Sequence, residues 1–458
     1  MISDSSETIA GIATAIGKSA IGVVRLSGED SFAIAAKFFH SSSGIRIEQK
    51  NRTLTYGWVK DQNCFLDEAL ACVMRKPNSY TAEDVVEIQC HGSSFILQRI
   101  LEIAIRHGAR LARPGEFTQR AFLNGRIDLT QAEAANDLIR AKTDLGISLA
   151  VNQLKGKLYR KISALKETVS WTLSLVNAGI DFPEEDIVFP HSDEIDAKLQ
   201  GVEAEMQELI ASADIGIMVR EGVRIVLVGA PNVGKSTILN GLLQQERSIV
   251  TELPGTTRDT IEESCVIGGI PISITDTAGI RRAENLVEKE GINRTFAAIE
   301  KADLLIWIMD ATKLAETAEL PRELRSAGVP ILKVLNKKDC LEHRPLLLSQ
   351  WEESCDTIIS AISEKGIDML RTSIFSFISD GSENISEDTI LTNLRQKTAV
   401  AEALESVRQA RKSIREEMGE EYLSADLSAA LNALGHIIGE TTPDEMLNRI
   451  FNNFCIGK

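Results

Sequence analysis

The chain has 458 residues, of which 43% are hydrophobic and 25% are charged, and its formal net charge at pH 7 is −16. This length predicts about three domains, and the hydrophobic share is ordinary for a globular protein with a substantial core. The negative charge argues against broad, non-specific nucleic-acid binding but is compatible with a local basic patch.

The chain carries no sign of membrane or secretory targeting. No apolar run approaches the roughly 20 residues of a membrane span, and the polar, acidic start is unlike a signal peptide. The seven cysteines are scattered, with no CxxC pair. This pattern predicts reduced thiols, a cytoplasmic location and no zinc site.

Residues 1–120 predict a compact α+β domain, because strand-like and helix-like segments interleave there. Asp30 is a candidate N-cap for the first helix, and residues 93–107 have apolar side chains at helical spacing. The predicted strands are 20–26, 70–74 and 85–90, and the predicted helices are 30–39 and 93–107.

Two stretches, 121–217 and 381–458, predict helices and flank a segment of alternating strands and helices, 218–380. Pro183 ends one helical run because proline cannot continue a helix, and the polar segment 379–384 indicates a linker. The predicted fold is therefore multidomain, with an N-terminal α+β domain, a discontinuous helical domain, and an inserted doubly wound α/β domain. The predicted helices are 129–145, 154–176, 195–213, 393–418 and 425–434, and the central strands are 224–228, 271–275, 303–309, 330–335 and 356–360.

The segment 229–236, Gly-Ala-Pro-Asn-Val-Gly-Lys-Ser, has the phosphate-loop pattern GxxxxGK[ST] between a predicted strand and a predicted helix. Its backbone N–H groups would surround phosphate oxygens, aided by the helix N-terminus. Lys235 would reach the β- and γ-phosphates, and the Ser236 hydroxyl would hold Mg²⁺. The alternative is a glycine-rich turn that matches by chance.

The base is predicted from Asn336-Lys337-Lys338-Asp339, an NKxD motif at a strand end. The Asp339 carboxylate can accept from guanine N1–H and the exocyclic amine, neither of which adenine presents. Ser360 and Ala361 fit the last base-contacting loop.

Asp276-Thr277-Ala278-Gly279 follows another strand, and residues 255–259 form a polar loop between this motif and the phosphate loop. Asp276 would act in the Mg²⁺ shell, the Gly279 N–H would sense the γ-phosphate, and Thr257 is the candidate second hydroxyl on Mg²⁺. Together the motifs predict a GTP site. Its residues are Asn232, Val233, Gly234, Lys235, Ser236, Thr237, Thr251, Glu252, Leu253, Pro254, Gly255, Thr256, Thr257, Asp276, Thr277, Ala278, Gly279, Asn336, Lys337, Asp339, Ser360 and Ala361.

Two residues distinguish this GTPase. Ile280 stands where signalling GTPases place a water-positioning glutamine, so another group must orient the water. Asn232 lies inside the phosphate loop, where its side-chain oxygen could coordinate K⁺, although a turn-forming asparagine after Pro231 explains it as well. The charged segment 281–291 is either a solvated helix face or functional.

The chain resembles the tRNA modification GTPase family called MnmE or TrmE over its whole length. Besides the GTPase motifs, the resemblance depends on segments quoted from this sequence: 22–28 (GVVRLSG), 80–84 (YTAED), His91-Gly92, 113–118 (RPGEFT), 121–125 (AFLNG), 128–134 (DLTQAEA) and the terminal 455–458 (CIGK).

The resemblance implies a K⁺-stimulated GTPase whose N-terminal domain forms a homodimer and binds 5-formyltetrahydrofolate or a related folate. With a flavoprotein partner, MnmG (GidA), in a heterotetramer, such proteins add an aminomethyl or carboxymethylaminomethyl group to C5 of the wobble uridine of certain tRNAs. Hydrolysis is coupled to domain movement.

The resemblance also implies site residues. Arg25, Glu87, Arg126 and Lys458 would contact folate, and Cys455 would have a possible thiol role. The K⁺ ligands would be Asn232, Thr251, Leu253 and Thr256, and Glu288 would replace the missing glutamine, with Glu284 and Glu290 as fallbacks. An anionic pterin–glutamate suits three cations and one carboxylate.

Two alternatives stay open from the residues. The chain could be a regulatory switch GTPase in ribosome assembly or stress signalling, with its first domain as a docking module. It could also be a folate-dependent one-carbon enzyme that merely carries a GTPase domain. Arg25, Arg126 and the terminal CxGK favour the modification enzyme, because a pure switch does not need them.

Overall fold

The computed structural model describes residues 7–181, 192–245, 262–276, 297–313, 328–341, 351, 354–379 and 391–457. By internal contacts the chain divides into two compact units. One unit comprises Met1–Asn136, Gln153–His191 and Gln409–Lys458, and the other comprises Asp137–Asn152 and Ser192–Arg408. No helix in the described part is both long and apolar enough to cross a membrane.

The first unit contains a seven-stranded sheet in the order β3-β4-β5-β6-β2-β1-β7. Its neighbouring strands are antiparallel except for β1 and β7. Val24, Leu26 and Ile88 of the sheet are buried with Ile100 and Ile103 of α2. The strands are β1 Ile9–Ile12, β2 Ser19–Ser27, β3 Phe39–Ser41, β4 Leu54–Asp61, β5 Cys64–Met74, β6 Val85–Gly92 and β7 Arg110–Leu111, and the helices are α1 Ser31–Ala35, α2 Ser94–Arg106 and α3 Glu116–Leu123.

The helix predicted at 30–39 is wrong in its length, because α1 ends at Ala35 and Phe39 begins β3. Asp30 stands at the N-cap position, but its side chain makes no capping hydrogen bond. Its backbone N–H instead donates to Thr8 Oγ1 at 3.0 Å, which ties the start of α1 to the strand region before β1.

The helical segments occur before and after the central sheet, as predicted. The single helix predicted at 129–145 is wrong, because it is interrupted after Arg140. Thr143 Oγ1 accepts from the Gly146 N–H at 3.0 Å, a side-chain bond of the kind that begins a new helix. The helices are α4 Leu129–Arg140, α5 Asp144–Leu154, α6 Lys157–Asp181, α7 Ser192–Glu221, and, after the central sheet, α10 Leu394–Arg415, α11 Glu420–Ile438 and α12 Asp444–Phe451.

The second unit contains a six-stranded sheet in the order β13-β12-β11-β8-β10-β9. All its pairs are parallel except β9 with β10, a hairpin that the sequence did not predict. The order in which strands are added reverses at β8, since β10 lies on one side of it and β11 on the other, and this is the switch point where doubly wound sheets bind ligands. The strands are β8 Val223–Val228, β9 Glu262–Ile267, β10 Ile270–Asp276, β11 Leu304–Asp310, β12 Ile331–Asn336 and β13 Thr357–Ile358, and the helices are α8 Lys235–Gln245 and α9 Glu364–Ile378.

The predicted fold class is confirmed: an α+β sheet domain, helices from two separate stretches, and a doubly wound α/β sheet between them. The domain boundaries at 120, 217 and 380 stay a prediction.

Candidate functional site

The phosphate loop connects the end of β8 to the start of α8 at the switch point of the central sheet. Asn232 has φ +63° and Gly234 has φ +102°, so the loop needs residues that tolerate a left-handed backbone. Lys235 is buried, and its Nζ donates to Gly229 O and Ala230 O, both at 2.8 Å. The amine therefore lies within the loop that would surround phosphate.

Two residues that the sequence predicts to hold Mg²⁺ are in contact at the ends of neighbouring strands. Ser236 Oγ at the start of α8 donates to Asp276 Oδ2 at the end of β10, over 3.2 Å. Parallel pairing of β8 with β10 brings these ends together. A hydroxyl and a carboxylate are oxygen donors of the kind that Mg²⁺ prefers, so the pair fits the ion. Among the described residues, no cluster of three or more His, Cys, Asp or Glu side chains forms another candidate metal site.

Asn336 joins the phosphate loop to the base-contacting loop. Its side-chain nitrogen donates to Val233 O at 2.9 Å, and its side-chain oxygen accepts from the Ala361 N–H at 3.0 Å. A Cβ on Gly234 would lie 2.3 Å from that nitrogen, so only glycine permits this contact. Asn336 is itself buried. The NKxD asparagine therefore fixes the relative position of two loops.

Asp339, the predicted guanine-reading residue, is exposed and accepts a hydrogen bond from Ser360 Oγ at 2.6 Å. That hydrogen bond lowers the pKa of the Asp339 carboxyl. The group is therefore ionised near neutral pH, as an acceptor for two guanine N–H donors must be.

Lys337 bridges the phosphate loop and a residue that sequence reasoning missed, Asp310. Its Nζ donates to Asn232 O at 3.0 Å and to Asp310 Oδ2 at 2.5 Å. Burial raises the pKa of Asp310, but hydrogen bonds from Lys337 and Thr312 outweigh it and lower the pKa overall. Asp310 ends the fully buried strand β11. A carboxylate at the end of an otherwise apolar parallel strand is the sequence signal that could have revealed it.

A second cluster lies on the N-terminal sheet. Arg25 on β2 and Glu87 on β6 are register partners, and their side chains form an ion pair of 2.8 Å. The Arg25 guanidinium lies over the rings of Tyr80 and Phe117, at 5.3 and 5.5 Å from their centroids. Both side chains of the pair are about one-fifth exposed. The charges are thus accessible at the edge of an aromatic surface.

Arg126 converges on the same tyrosine. Its guanidinium carbon lies 4.9 Å from the Tyr80 ring centroid, and its Nη1 donates to Tyr80 O at 2.8 Å. Tyr80 itself hydrogen-bonds Thr118 through its hydroxyl at 2.9 Å. Sequence reasoning missed Tyr80 and Phe117 as site residues, although both occur in motifs that carried the family resemblance.

The C-terminal tail reaches this cluster. The Gly115 N–H donates to Cys455 O at 3.3 Å, and a Cβ on Gly457 would lie 1.9 Å from Ile12 O. A Cβ on Gly11 would lie 3.4 Å from the Gly457 Cα, and Gly11 is the register partner of Arg25. The tail therefore packs beside Arg25, with Cys455 exposed.

The structure thus brings together Arg25, Glu87 and Arg126 in one cluster and the described phosphate, Mg²⁺ and guanine residues in another. The remaining predicted residues lie outside the described part of the chain: Thr251, Glu252, Leu253, Pro254, Gly255, Thr256, Thr257, Thr277, Ala278, Gly279, Ile280, Glu284, Glu288, Glu290 and Lys458.

Comparison with known proteins gives two family models and many full-length relatives. The model for the MnmE helical domain matches residues 129–455, and the model for the GTP-binding protein TrmE N-terminus matches residues 8–126. A protein named tRNA modification GTPase MnmE from Clostridioides difficile is 42% identical over 99% of both chains. One of the same name from Syntrophotalea carbinolica is 42% identical over 100% of both. Among solved structures, the FeoB G-domain from Methanococcus jannaschii is 26% identical and covers 34% of this chain and 97% of its own, with a TM-score of 0.26, too low to support a structural argument.

Proposed function

Because this chain belongs to the MnmE family of tRNA modification GTPases, we propose that it is a K⁺-stimulated GTPase acting with a flavoprotein partner. GTP hydrolysis in tRNA modification is the activity of the family. The proposed reaction adds an aminomethyl or carboxymethylaminomethyl group to C5 of the wobble uridine of certain tRNAs. GTP hydrolysis would drive a domain movement that accompanies it.

The observation that carries this proposal is the convergence of Arg25 and Arg126 on Tyr80, with Glu87 paired to Arg25. A pterin presents a flat ring with neighbouring N–H donors and an anionic glutamate tail. The Glu87 carboxylate can accept from such donors, the Tyr80 ring offers a flat apolar surface, and the two arginines offer positive charge. Packing of the tail through Gly457 supports a folate contact for Lys458, the next residue. Cys455 belongs to the same tail and is exposed, and a thiol role for it is part of the proposal.

In the GTP site, Lys235 would contact phosphate, while Ser236 and Thr257 would hold Mg²⁺ with Asp276 in its shell. The bound Mg²⁺ supplies positive charge against the phosphates. The Ser236–Asp276 hydrogen bond supports this assignment, because it already brings two oxygen donors together. Asn336, Lys337 and Asp339, with Ser360 and Ala361, would select guanine.

The proposed K⁺ ligands are Asn232, Thr251, Leu253 and Thr256, and the proposed water-positioning group is Glu288. The left-handed backbone at Asn232 is what the turn-forming explanation expects, and the residue is exposed, as a cation ligand must be. Both roles are thus compatible at one residue.

The proposed assembly is a cytoplasmic homodimer, formed through residues 1–120, that binds the flavoprotein MnmG in a heterotetramer and acts on tRNA. Leu54, Tyr56 and Trp58 of β4 and Phe65 of β5 are all exposed large apolar side chains. Contiguous apolar surface on a sheet is typical of protein interfaces, and this supports dimer formation through the N-terminal domain.

The experiment that tests the proposal has two parts. Intact protein should bind 5-formyltetrahydrofolate in a calorimetric titration, and a deletion strain should lack the wobble-uridine modification in mass spectra of its tRNA nucleosides. Absent folate binding together with normal wobble uridines would favour the alternative, a regulatory switch GTPase in ribosome assembly or stress signalling.

A further inference from the structure

The turn between α5 and α6 is rich in positive charge and lies in a stretch of the chain that contains no acidic residue. Residues 155–161, Lys-Gly-Lys-Leu-Tyr-Arg-Lys, contain four cationic side chains, and we call them the basic segment. No acidic residue occurs between Asp144 and Glu167, although 66 of the 458 residues are acidic. The formal net charge of −16 disfavours the approach of a polyanion to the protein as a whole. The basic segment is a local surface that would attract a polyanion.

The cations of the basic segment lie at the start of α6, where a helix does not itself favour positive charge. Leu158, Ile162 and Leu165 form the buried face of the helix. Cationic side chains fill positions 157, 160 and 161 at the start of α6, where the helix dipole favours acidic ones, and the first turn contains no acidic residue. This arrangement lowers the stability of the helix. A helix start that departs from this local rule is a candidate functional surface.

An exposed aromatic side chain lies among the charges. Tyr159 is 40% exposed, and Lys155 and Arg160, before and after it in sequence, are also exposed. Arg160 Nη1 donates to Lys155 O at 2.9 Å, which holds the guanidinium against the turn. Gly156 permits the tight turn with φ +76°. Proteins usually bind single-stranded RNA with cations that contact its phosphates and with aromatic rings that stack on its bases.

A groove beside Tyr159 extends this surface with hydrogen-bonding groups. Ser163 of α6 lines it together with Asn432 of α11 and Thr441. Glu440 and Glu167 are there as well, and Glu440 pairs with Lys166, so one of the two acidic charges is balanced. The positively charged end of the groove is therefore the end next to the basic segment.

The residues that precede the basic segment are tied by hydrogen bonds to the residues that follow Arg126. The Gln131 side chain accepts from the Asp128 N–H at 3.1 Å and donates to Leu154 O at 3.0 Å. The Gln131 side chain therefore connects the backbone of Asp128, two residues after Arg126, to that of Leu154, one residue before Lys155. An RNA held on the basic segment would lie next to the candidate folate site.

We propose that the basic segment, with Tyr159 as a stacking surface, binds the phosphate backbone and an unpaired base of the tRNA substrate. This rests on the proposed function, because it assigns a surface to the tRNA that function requires. RNA is favoured over an acidic protein partner because an exposed aromatic side chain, Tyr159, lies between the cations in sequence and can stack on a base.

The test uses full-length protein and an unmodified tRNA transcript, with binding measured by fluorescence anisotropy at several KCl concentrations. The double variant Lys155→Gln/Arg160→Gln should raise Kd by about tenfold and reduce the slope of log Kd against log salt by about 1 to 2. Tyr159→Leu should raise Kd by about fivefold or more with the slope unchanged. The charge-conserving Lys155→Arg/Arg160→Lys should keep the wild-type slope.

The matched control is Lys37→Gln/Lys412→Gln, which removes two exposed cations elsewhere in the same unit. It should change Kd by less than about twofold. GTP hydrolysis without tRNA should be normal in all variants, and a thermal unfolding curve of each variant by circular dichroism reports its folding. Wild-type Kd and slope in Lys155→Gln/Arg160→Gln would overturn the proposal, as would equal losses in the control. Loss of flavoprotein binding with tRNA binding intact would assign the segment to the protein partner instead. If wild-type protein and its complex with the flavoprotein bind no tRNA, the proposed function itself fails.

Discussion

Lys337 Nζ and Asp310 Oδ2 are 2.5 Å apart, so the lysine of the guanine-reading motif is held by a carboxylate from the neighbouring strand. The same amine donates to Asn232 O in the phosphate loop. Asp310 is 3% exposed, and the Thr312 N–H and hydroxyl both donate to its other oxygen. Asp310 is therefore a positioning residue that acts through Lys337 on both halves of the nucleotide site.

Asp310→Asn keeps the shape of the side chain but removes the charge opposite Lys337. Hydrogen bonds to charged groups contribute about 1.5–3 kcal/mol, so we expect KM for GTP and Kd for GDP to rise about tenfold or more. The kcat should change little, because Asp310 does not contact the reacting atoms. The matched control is Asp303→Asn. Asp303 immediately precedes β11, at the opposite end from Asp310, and is paired with exposed Arg224. A fall in kcat at unchanged KM would contradict this role.

Asn232→Gly separates the two explanations of Asn232. Glycine tolerates φ +63° at least as well as asparagine, so the loop keeps its conformation while the side-chain oxygen is lost. We expect the wild type to hydrolyse GTP several-fold faster in K⁺ than in Na⁺ at equal ionic strength, and the variant to lose most of that difference. Nucleotide affinity, measured with a fluorescent GDP analogue, should be nearly normal. Equal rates of the wild type in the two salts would dismiss the cation site.

The sequence predicts the central strands well where they are continuous apolar runs, as in the fully buried β11. It fails at β4, whose large side chains Leu54, Tyr56 and Trp58 are exposed while Thr55 and Gly57 face inward. Alternation with the bulky residues outside does not resemble a strand with one buried face. A Cβ on Gly57 would lie 2.3 Å from His40 O, so pairing with β3 demands the small residue there.

The two candidate sites also differ in how far the sequence predicts them. The GTP motifs are local in sequence, so spacing alone predicts Lys235, Ser236 and Asp339. The Arg25 contacts depend instead on strand pairing across 62 residues and on a helix that brings Phe117 beneath the guanidinium. Tyr80 and Phe117 join the Arg25 cluster through such long-range packing, which residue spacing does not encode, whereas Asp310 had a local signal as a carboxylate that ends an apolar strand.

Glu87→Gln tests the folate cluster. The amide cannot replace a carboxylate that accepts from two N–H donors, and it leaves Arg25 without its counter-charge, so we expect the Kd for 5-formyltetrahydrofolate to rise at least tenfold. GTP hydrolysis without tRNA should be normal. Glu102→Gln controls for the loss of one carboxylate from the same domain, because the Glu102 side chain on α2 is partly exposed and paired with Arg99. Tight folate binding by Glu87→Gln would remove Glu87 from the site.

Glu288→Ala tests the replacement for the missing glutamine. A group that orients the attacking water contributes to the transition state and not to nucleotide binding, so kcat should fall by about 100-fold while GTP affinity stays within about twofold. Single-turnover hydrolysis and equilibrium binding of a slowly hydrolysed analogue separate the two quantities. Parallel measurements on Glu284→Ala and Glu290→Ala identify the fallback residues. A large loss of affinity in Glu288→Ala would make the residue structural.

Glu116 predicts a pH-dependent part of the stability of the N-terminal domain. Burial alone would raise the pKa of this carboxyl, but hydrogen bonds from the Arg110 side chain and the Arg113 N–H lower it to about 2. A folded-state pKa below the ordinary 4.5 stabilises the fold above about pH 4.5, and the contribution is lost as pH falls toward 2. The separation of the two values corresponds to about 3 kcal/mol.

Glu116→Gln should therefore lower the melting temperature of the N-terminal domain clearly at pH 7, and the difference from wild type should shrink as pH falls from 4.5 toward 3. Differential scanning calorimetry of the full chain at a series of pH values measures this. The exposed Glu29→Gln should follow wild type throughout. Because Glu116 also anchors the start of α3, which carries Phe117 under Arg25, folate binding should weaken along the same pH range. A melting-temperature difference that is constant with pH would show that the ion pair contributes through packing and not through charge.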